Sequence, residues 1–459
     1  MRTILIFLFL PLFSSSQSKF IPMVDSLMTA QAQIREFNGN VLIAQSGKIL
    51  YQKSFGYRNY EQKQLLDSNS VFELASVSKQ FTAMGILLLK EQGKLRLNDS
   101  LRKFFPQLPY ANVTIHQMLV HTSGLPDYFK VIGAKWDHSK VAFNNDMIRL
   151  LAAEKTPARF EAGTKWEYSN TAYALLASII EQVSGTTYNN FLQEQVFKQL
   201  GMTSTRVYNT RRSSTETIPN YAYGHVYSES LKQYFIPDSI EQYRFVYYLD
   251  GITGDGTVNS TTSDLLKWDR ALKSNRLLPE ITQKEMFSSL ALADTVAGTG
   301  YGYGVVVQKS KFGNSLFHSG GWPGYVTMLH RDVEDDITII VLSNNNSNSP
   351  AIATQLSFIM HDEPVILPYV HKEVAIDTSI LDNYVGKYRG ANVIQLVKEN
   401  GKLYKKGVQN LELKPESDRK FFFNDRTDRQ IEFVLNESGK PEHAYLINNG
   451  IKTELNKVD

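Results

Sequence analysis

The sequence predicts an α+β fold, in which an antiparallel sheet is flanked by helices and carries a helical insertion, followed by a small all-β barrel domain. Apolar runs with strand-like composition occur at 41–51 and again at 304–342. Between them, from 79 to 200, apolar residues recur at helical spacing. Beyond 377, short strands alternate with turns. Strands from both ends of the first region can pair only in a single sheet, so the helical middle is predicted to be an insertion.

The N-terminus has the three-part layout of a secretory signal peptide. Arg2 precedes an apolar run from Ile4 to Phe13, and small polar residues follow up to Ser18. The apolar run is about half of the roughly 20 residues that span a bilayer, which favours a cleaved signal over a membrane anchor. We therefore expect residues 1–18 to be a signal peptide and the protein to be exported, either to the periplasm or as a secreted protein.

The composition restricts the class of protein. With 459 residues, of which 42% are hydrophobic and 21% charged, the chain resembles soluble globular proteins and has the length of two or three domains. The 49 basic residues nearly balance the 46 acidic ones, and a net charge of +3 gives no support to a nucleic-acid surface. The chain has no cysteine, which excludes disulfides, thiol nucleophiles and thiolate metal sites. No integral membrane segment is expected after signal cleavage.

The first domain, predicted at 19–362, has the order helix, hairpin, helical insertion, strands, helix. Helical spacing marks 19–37, and two apolar runs about the Ser46-Gly47 turn predict a β-hairpin. Later strands are predicted at 304–308, 316–318, 325–329 and 337–342, and a short helix ends near 360.

A linker with two prolines is predicted at 363–376, and a separate β-domain at 377–459. Strands of this domain are predicted at 393–397, 403–404, 420–423, 431–435 and 443–447. Hairpin-type turns separate several of them, for example at Asn449-Gly450. The segment is therefore predicted to be a small all-β barrel or sandwich.

A serine and a lysine lie one helical turn apart where a helix is predicted to begin. On a helix, residues three apart share a face, so Lys79 can reach the hydroxyl of Ser76. A free serine hydroxyl is a weak nucleophile, and a neighbouring base is one way to activate it. The spacing alone is not specific, because it also occurs at Ser16/Lys19, Ser100/Lys103 and Ser417/Lys420.

Two further motifs follow this pair along the chain. Tyr168 and Asn170 flank a turn that opens a predicted helix. His318 lies on a strand that is predicted to end at Gly320 and Gly321. Tyr-x-Asn alone is weak, since Tyr57/Asn59 and Tyr188/Asn190 also match it. The three motifs together, in this order, would rarely occur by chance.

With these motifs the chain resembles the class C serine β-lactamases and the low-molecular-weight penicillin-binding proteins, D-aminopeptidases and esterases that share their fold. The resemblance covers about residues 25–360 and extends to the context at 114–125, 200–202 and 254–260. The tail from Leu381 resembles the lipocalin-like β-domain often appended to such enzymes. The resemblance implies a serine hydrolase that forms an acyl-enzyme with amide or ester substrates and uses no cofactor and no metal.

The resemblance also implies roles for the motif residues. Ser76 attacks the carbonyl carbon, and Asn170 offers its amide to the acyl group. The backbone N–H groups of Ser76 and Gly321 stabilise the oxyanion. Gly320 and Gly321 let the strand edge approach substrate without a Cβ in the way.

The general base is left open between two residues. Lys79, with an ordinary pKa of about 10.4, can act as a base only if burial or nearby positive charge lowers that pKa, and otherwise acts as a cation. Tyr168 is the second candidate, because the same cation could shift the pKa of its phenol downward.

His318 departs from the family pattern, because related β-lactamases and carboxypeptidases usually carry lysine there. A lysine offers a fixed cation to a substrate carboxylate, whereas histidine, with an ordinary pKa near 6.5, is mostly neutral at pH 7. We therefore expect a D-amino-acid peptidase or an esterase rather than a true β-lactamase. The expected partner is a small-molecule or peptide substrate, and no nucleic acid.

Other interpretations compete with this one. A penicillin-binding or sensor-type module that is acylated without efficient turnover would keep the same motifs. Ser76 alone also suits a helix N-cap, and His318 a structural histidine on an edge strand. His116 and His121 are spaced like a metal pair, yet no third ligand follows at a sensible spacing. The β-domain could serve as a lid or a substrate-selecting wall.

Overall fold

The computed structural model divides the chain into two compact units. The sheet unit is Phe37–Ala353, and the barrel unit joins the segment up to Glu36 to the segment from Thr354 onward. The structure describes residues 19–208, 217–294, 298–425 and 427–458. The predicted signal peptide at 1–18 lies outside these residues. No helix within the described ranges is both long enough and apolar enough to cross a membrane.

Fourteen α-helices are defined in the described residues. In chain order they are α1 (Ile21–Ile34), α2 (Lys79–Glu91), α3 (Leu101–Phe104), α4 (Ile115–Leu119), α5 (Tyr128–Lys135), α6 (Asn144–Glu154), α7 (Asn170–Ser184), α8 (Tyr188–Leu192), α9 (Lys198–Leu200), α10 (Phe245–Tyr248), α11 (Thr262–Lys273), α12 (Glu280–Met286), α13 (Ser349–Met360) and α14 (Leu381–Tyr384).

The strands of the described residues fall into two groups. Those before α13 are β1 (Gly39–Gln45), β2 (Lys48–Phe55), β3 (Tyr57–Asn59), β4 (Gln64–Leu65), β5 (Phe72–Glu73), β6 (Arg206–Val207), β7 (Val226–Ser228), β8 (Gln233–Phe235), β9 (Val258–Ser260), β10 (Ala291–Asp294), β11 (Thr299–Tyr301), β12 (Val306–Ser310), β13 (Gly313–Trp322), β14 (Tyr325–Asp332) and β15 (Ile337–Ser343). Those after it are β16 (Gly386–Arg389), β17 (Val393–Glu399), β18 (Lys402–Lys405), β19 (Leu411–Pro415), β20 (Lys420–Phe423), β21 (Arg429–Leu435), β22 (Pro441–Asn448) and β23 (Ile451–Val458).

The sheet unit contains an eight-stranded antiparallel sheet in the order β10-β11-β12-β13-β14-β15-β1-β2. Its centre joins the two ends of the unit, because β1 pairs with β15, with Val41 opposite Val341. Both strands are buried almost throughout, which explains why they appear in the sequence as continuous apolar runs. The helices from α2 to α12 lie between these strands in the chain. The predicted antiparallel sheet with a helical insertion is thus confirmed.

The helical insertion is built around α2 and α7, which pack against each other in one hydrophobic cluster. Residues 171–180 of α7 are all buried. In α2, ten of the 13 residues are buried, and Lys79 is among them. A helix that is apolar on most of its surface forms the interior of a domain. Lys79 is therefore a cation that begins a core helix.

Strand β13 differs from the prediction, because it continues through both glycines to Trp322. The reason is its pairing with β14, in which Gly321 still lies opposite Val326. On its other side, β12 pairs with β13 only as far as Phe317. From His318 to Trp322, no described strand covers this edge of β13.

Gly320 is held in close contact with the turn that contains Ser76. A Cβ at this position would lie 2.1 Å from the carbonyl oxygen of Leu74 and 2.3 Å from Oγ1 of Thr327. A Cβ at Gly321 would meet nothing within 4 Å. Gly320 thus allows the close approach of strand and turn, while Gly321 faces open space.

The C-terminal β-domain is a closed barrel with the strand order β16 to β23. Closure comes from the pairing of β16 with β23, which places Tyr388 opposite Lys457. The five predicted strands are present, and β16, β19 and β23 were not predicted. Aromatic rings fill the interior, where Tyr384 stacks on Phe433 with centroids 4.2 Å apart and Phe421 packs edge-on against Phe433 at 5.9 Å.

The barrel unit is tied together by polar contacts between distant parts of the chain. Gln31 of α1 donates a hydrogen bond to Gln355 of α13 at 2.9 Å, and Gln355 donates to the carbonyl of Asn449 at 2.8 Å. Arg35 forms an ion pair with the buried Asp428 at 3.1 Å. These contacts bind both terminal helices to barrel loops.

Candidate active site

Ser76 lies in the 3₁₀ turn Ala75–Ser78, which leads directly into α2. Ala75 has a φ of 47°, a left-handed conformation that is uncommon for a residue with a Cβ. The turn is fixed by β14, because Oγ1 of Thr327 donates to the carbonyl of Leu74 at 2.7 Å. The strained backbone is therefore held in place by the sheet, as is typical of functional sites.

Lys79 is fully buried, and its ammonium group has three hydrogen-bond partners. Nζ lies 3.2 Å from Oγ of Ser76, 2.8 Å from Oδ1 of Asn170 and 2.7 Å from the carbonyl oxygen of Asp255. Burial lowers the pKa of Lys79 to about 8, although the charge of Asp255 opposes the shift. The lysine thus contacts the serine and has a pKa close to the range in which a base works at neutral pH.

Tyr168 lies on the other side of Ser76. Its ring centroid is 4.8 Å from Nζ of Lys79, and its hydroxyl hydrogen-bonds to Ser76. Although Tyr168 is 37% exposed, desolvation raises the pKa of its phenol, against the effect of the Ser76 hydrogen bond. The raised pKa of Tyr168 favours Lys79 as the base, and the roles of both residues remain proposals.

His121 forms the buried wall behind Tyr168. The two rings are 4.3 Å apart, and the backbone N–H of Ser169 donates to Nδ1 of His121 at 3.0 Å. Burial lowers the pKa of His121 well below its ordinary value, and the charges of Lys79 and His318 act in the same direction. Because Nδ1 accepts, the neutral ring carries its proton on Nε2. His121 thus fixes the backbone between the two residues of the Tyr-x-Asn motif.

His318 is buried on the free edge of β13, and both of its nitrogens are engaged. Nδ1 lies 2.6 Å from the carbonyl oxygen of Ser319, and Nε2 lies 2.9 Å from the hydroxyl of Tyr301. Burial lowers the pKa of His318 to about 3, helped by the charge of Lys79 and opposed by the Ser319 carbonyl. A carbonyl can only accept, so the neutral ring carries its proton on Nδ1 and accepts from Tyr301 at Nε2.

Two clefts meet at Ser76. The asparagine cleft is lined by residues that include Ser76, Tyr128, Asn170, Asp250, Asp255 and Trp322. The tyrosine cleft, with a volume of about 530 Å³, is lined by residues that include Ser76, Trp166, Tyr168, Tyr301, Phe317 and His318. Gly321 borders both of them. A substrate bound along the free edge of β13 would thus extend into a different cleft on each side of Ser76.

A known family matches this arrangement along most of the chain. The family model described as Beta-lactamase matches residues 24–357. This chain belongs to the beta-lactamase family. The match contains all three sequence motifs and ends before the barrel strands, so the family assignment concerns the part of the chain that carries the candidate site.

Individual relatives extend this similarity. The chain is 42% identical over 443 residues to penicillin-binding protein 4* of Bacillus subtilis (strain 168), covering 92% of this chain and 97% of that protein. Among solved structures, a penicillin-binding protein from Bacillus halodurans is similar with a TM-score of 0.63 and 26% identity, covering 73% and 98% of the two chains. The D-amino acid amidase of Ochrobactrum anthropi SV3, with a TM-score of 0.60, 23% identity and coverage of 76% and 99%, shares the fold.

The structure brings together all the site residues that the sequence analysis selected. Ser76, Lys79 and Asn170 are in direct contact, and Tyr168 adjoins them. His318 lies beside Tyr168, with ring centroids 6.2 Å apart. For a member of the beta-lactamase family, the three motifs thus converge on one serine, and the roles assigned to these residues remain proposals.

Three further residues of the site were not selected from the sequence. Asp255 and His121 lie inside stretches that resemble the family, but only the fold shows their contacts with Lys79 and Ser169. Tyr301 carried no sequence signal. The metal-pair hypothesis finds no support, because His116 contacts the hydroxyl of Tyr303 at 3.0 Å and no metal-binding group of three or more ligands occurs among the residues the structure describes.

Proposed function

We propose that this member of the beta-lactamase family is a serine hydrolase that forms an acyl-enzyme on Ser76 with amide or ester substrates. One observation carries the proposal: the buried amine of Lys79, with a pKa of about 8, lies 3.2 Å from Oγ of Ser76. By the ordinary titration relation, about a tenth of such a lysine is neutral at pH 7, and the neutral amine can take the serine proton.

In the acylation step, Oγ of Ser76 attacks the carbonyl carbon while its proton passes to Lys79. The carbonyl oxygen becomes an oxyanion, for which the backbone N–H groups of Ser76 and Gly321 are the proposed donors. Trp322 and Tyr325 flank a two-residue turn and form a hydrogen-bonded pair of the antiparallel ladder. Hydrogen-bonded and non-hydrogen-bonded pairs alternate, so the next pair, Gly321 and Val326, is not hydrogen-bonded. The N–H of Gly321 therefore points away from β14, toward the free edge. This direction supports the donor role of Gly321.

Collapse of the oxyanion breaks the bond between the carbonyl carbon and the leaving group. The oxygen or nitrogen of the leaving alcohol or amine needs a proton. Tyr168, whose hydroxyl hydrogen-bonds to Ser76, is the proposed donor, and Lys79 then returns the proton taken from Ser76 to the Tyr168 phenolate. In deacylation the same pair removes a proton from the attacking water and delivers it to Oγ of Ser76 as the bond between Oγ and the acyl carbon breaks, which releases the acid. Asn170 positions both Lys79 and the acyl group, since its side chain accepts from Nζ and lines the asparagine cleft.

We further propose D-amino-acid peptides or esters as substrates rather than β-lactams. His318 stands where β-lactamases of the family usually have lysine. The shared fold with a D-amino acid amidase is consistent with substrates of that class.

A fluorophosphonate probe tests the proposed nucleophile. We expect one covalent adduct per folded chain, located by peptide mass mapping on Ser76 and absent from Ser76→Ala. Ser319→Ala is the matched control, because it removes an exposed hydroxyl from the tyrosine cleft and should keep the adduct. Folded protein without an adduct on Ser76 would contradict the proposal.

Turnover separates the hydrolase from the alternative of a sensor-type module. A hydrolase releases many equivalents of nitrophenol from a nitrophenyl ester, whereas a module that is only acylated releases about one equivalent. A panel of nitrophenyl esters, D-amino-acid anilides and a chromogenic cephalosporin would identify the substrate class. A single stoichiometric burst with every compound would favour the sensor.

A further inference from the structure

The two clefts at Ser76 have different positions relative to the proposed proton donor. Tyr168 lines the tyrosine cleft, and Asn170 lines the asparagine cleft. The leaving group needs the proton, so it must lie beside the hydroxyl of Tyr168. This inference rests on the proposed function and assigns the leaving group to the tyrosine cleft and the acyl group to the asparagine cleft.

The walls of the tyrosine cleft are mainly aromatic and apolar. Trp166 and Tyr301 have ring centroids 6.2 Å apart, and Phe317 and Val306 complete this lining. Among the described residues of the lining, none is Lys or Arg, and Asp294 contributes a carboxyl group.

Of the lining residues that the structure describes, His318 alone could become a cation on protonation, and its contacts oppose this. Its Nδ1–H is used by the carbonyl of Ser319, and its Nε2 accepts from Tyr301. The groups that face it include Lys79 and Tyr168, and the charge of Lys79 disfavours a second cation. Lys79 itself is buried and already holds three acceptors. The exposed hydroxyl of Ser319 can give a carboxylate one neutral hydrogen bond, which does not replace its lost hydration.

We propose that the tyrosine cleft selects an uncharged aromatic or apolar leaving group and discriminates against an anionic one, with Tyr301 and the Ser319 carbonyl keeping His318 neutral. Tyr301 is then a specificity-determining residue, because it occupies the nitrogen through which His318 would otherwise meet the leaving group. The aromatic walls offer stacking to an aryl group.

Three acetate esters with the same acyl group test this proposal: phenyl, 3-carbamoylphenyl and 3-carboxyphenyl acetate. The carbamoyl ester is the neutral match in size for the carboxylate. At pH 7 we expect kcat/KM for the carboxylate ester to be at least about tenfold lower than for the carbamoyl ester. Equal or faster cleavage of the carboxylate ester overturns the proposal while the proposed function stands. Failure to cleave any of the esters counts against the proposed function itself.

A variant pair tests the role of residue 318 through the same ratio. His318→Lys places a cation in the cleft and should raise the carboxylate-to-carbamoyl ratio of kcat/KM by about tenfold or more. His318→Gln, which stays neutral, should leave that ratio within about threefold of the parent value. The ratio cancels any general loss of activity or of folded protein. An unchanged ratio in His318→Lys would show that residue 318 does not determine the preference for neutral over anionic leaving groups. That result would overturn the role assigned to His318.

Discussion

The chemistry of the candidate site depends on how one lysine is buried. Lys79 has no exposed surface, and its Nζ donates to three oxygen atoms, those of Ser76, Asn170 and Asp255. Burial lowers its pKa, while the nearby carboxylate of Asp255 raises it, and the balance gives a value of about 8. Tyr168 shows the opposite effect, since desolvation raises the pKa of its phenol. Of the two candidate bases, Lys79 is therefore the one whose unprotonated form is populated near pH 7.

The pH dependence of acylation should follow the titration of the Lys79 amine. Because the neutral amine is the base, we expect kcat/KM for a neutral nitrophenyl ester to rise with a slope near one on a log scale and to level off above about pH 8. Measurement between pH 6 and 9.5 with a non-ionising substrate gives the free-enzyme pKa. A profile that is flat across pH 8 would contradict Lys79 as the base.

A charge variant makes this assignment specific. Asp255→Asn removes the carboxylate that raises the pKa of Lys79 and keeps the backbone carbonyl that binds Nζ, so the rising limb should move to lower pH by about one unit. Asp127→Asn is the matched control. It removes a nearby negative charge that acts on Tyr128 and Asp255, whereas the charge that raises the pKa of Lys79 is that of Asp255. Asparagine can also cap α5, so the helix should be kept. Equal shifts in both variants would contradict the specific role of Asp255.

These contacts also show how far the sequence could predict the site. Ser76 and Lys79 are three residues apart, so helical geometry alone places them together. The carbonyl of Asp255 reaches Lys79 from 176 residues away, and Tyr301 reaches His318 from a neighbouring part of the sheet. Spacing in the sequence carries no information about such approaches, which depend on how the insertion and the sheet fold together.

The contact between β13 and the turn of Ser76 sets the geometry in which a substrate would lie. Gly320 faces the turn, where a Cβ would be 2.1 Å from the carbonyl of Leu74, and Gly321 faces open space. The two neighbouring glycines therefore differ in what they contribute. One allows close packing, and the other keeps the free edge of the strand open.

Alanine substitutions should separate these contributions. Gly320→Ala forces the strand away from the turn, and we expect it to lower the free energy of unfolding by about 1–3 kcal/mol, the usual range for overpacking. Gly321→Ala meets no steric obstacle and should change it by less than about 1 kcal/mol. Urea titration of both variants, followed by tryptophan fluorescence, measures the difference. Equal effects would mean that the close approach at Gly320 does not stabilise the fold.

The strands show why some elements were missed or misjudged. Glycines predict the end of a strand, yet β13 continues because its ladder with β14 extends to Trp322. In β23, Leu455 is the one buried residue, so the apolar alternation that marks a strand is absent. Its position comes from pairing with β22 and with the distant β16. Closure of the barrel thus defines strands that local patterns cannot reveal.

The barrel unit is assembled from segments that are far apart in the chain. Gln31 and Gln355 are hydrogen-bonded across 324 positions, and Arg35 of the N-terminal segment pairs with Asp428 of the barrel. Asp428 also contacts Nε2 of His371 at 3.2 Å, and it is the acceptor for Gln430 at 3.0 Å. One carboxylate therefore joins three parts of the unit: the N-terminal segment, the predicted linker and the barrel.

Removal of this carboxylate should loosen the barrel unit. The side chain of Asp428 is only 8% exposed and that of Arg35 is 26% exposed, so Asp428→Ala leaves a partly buried cation without its ion-pair partner, which should cost about 1–3 kcal/mol. Glu412→Ala is the matched control, because its partner Lys402 is 56% exposed and a pair of that kind contributes less than about 1 kcal/mol. Hydrogen exchange followed by mass spectrometry measures the opening free energy of peptides from β21 to β23. We expect faster exchange there in Asp428→Ala and parent-like exchange in Glu412→Ala. Equal protection in the two variants would mean that the distant segments are held together by apolar packing instead of by this carboxylate.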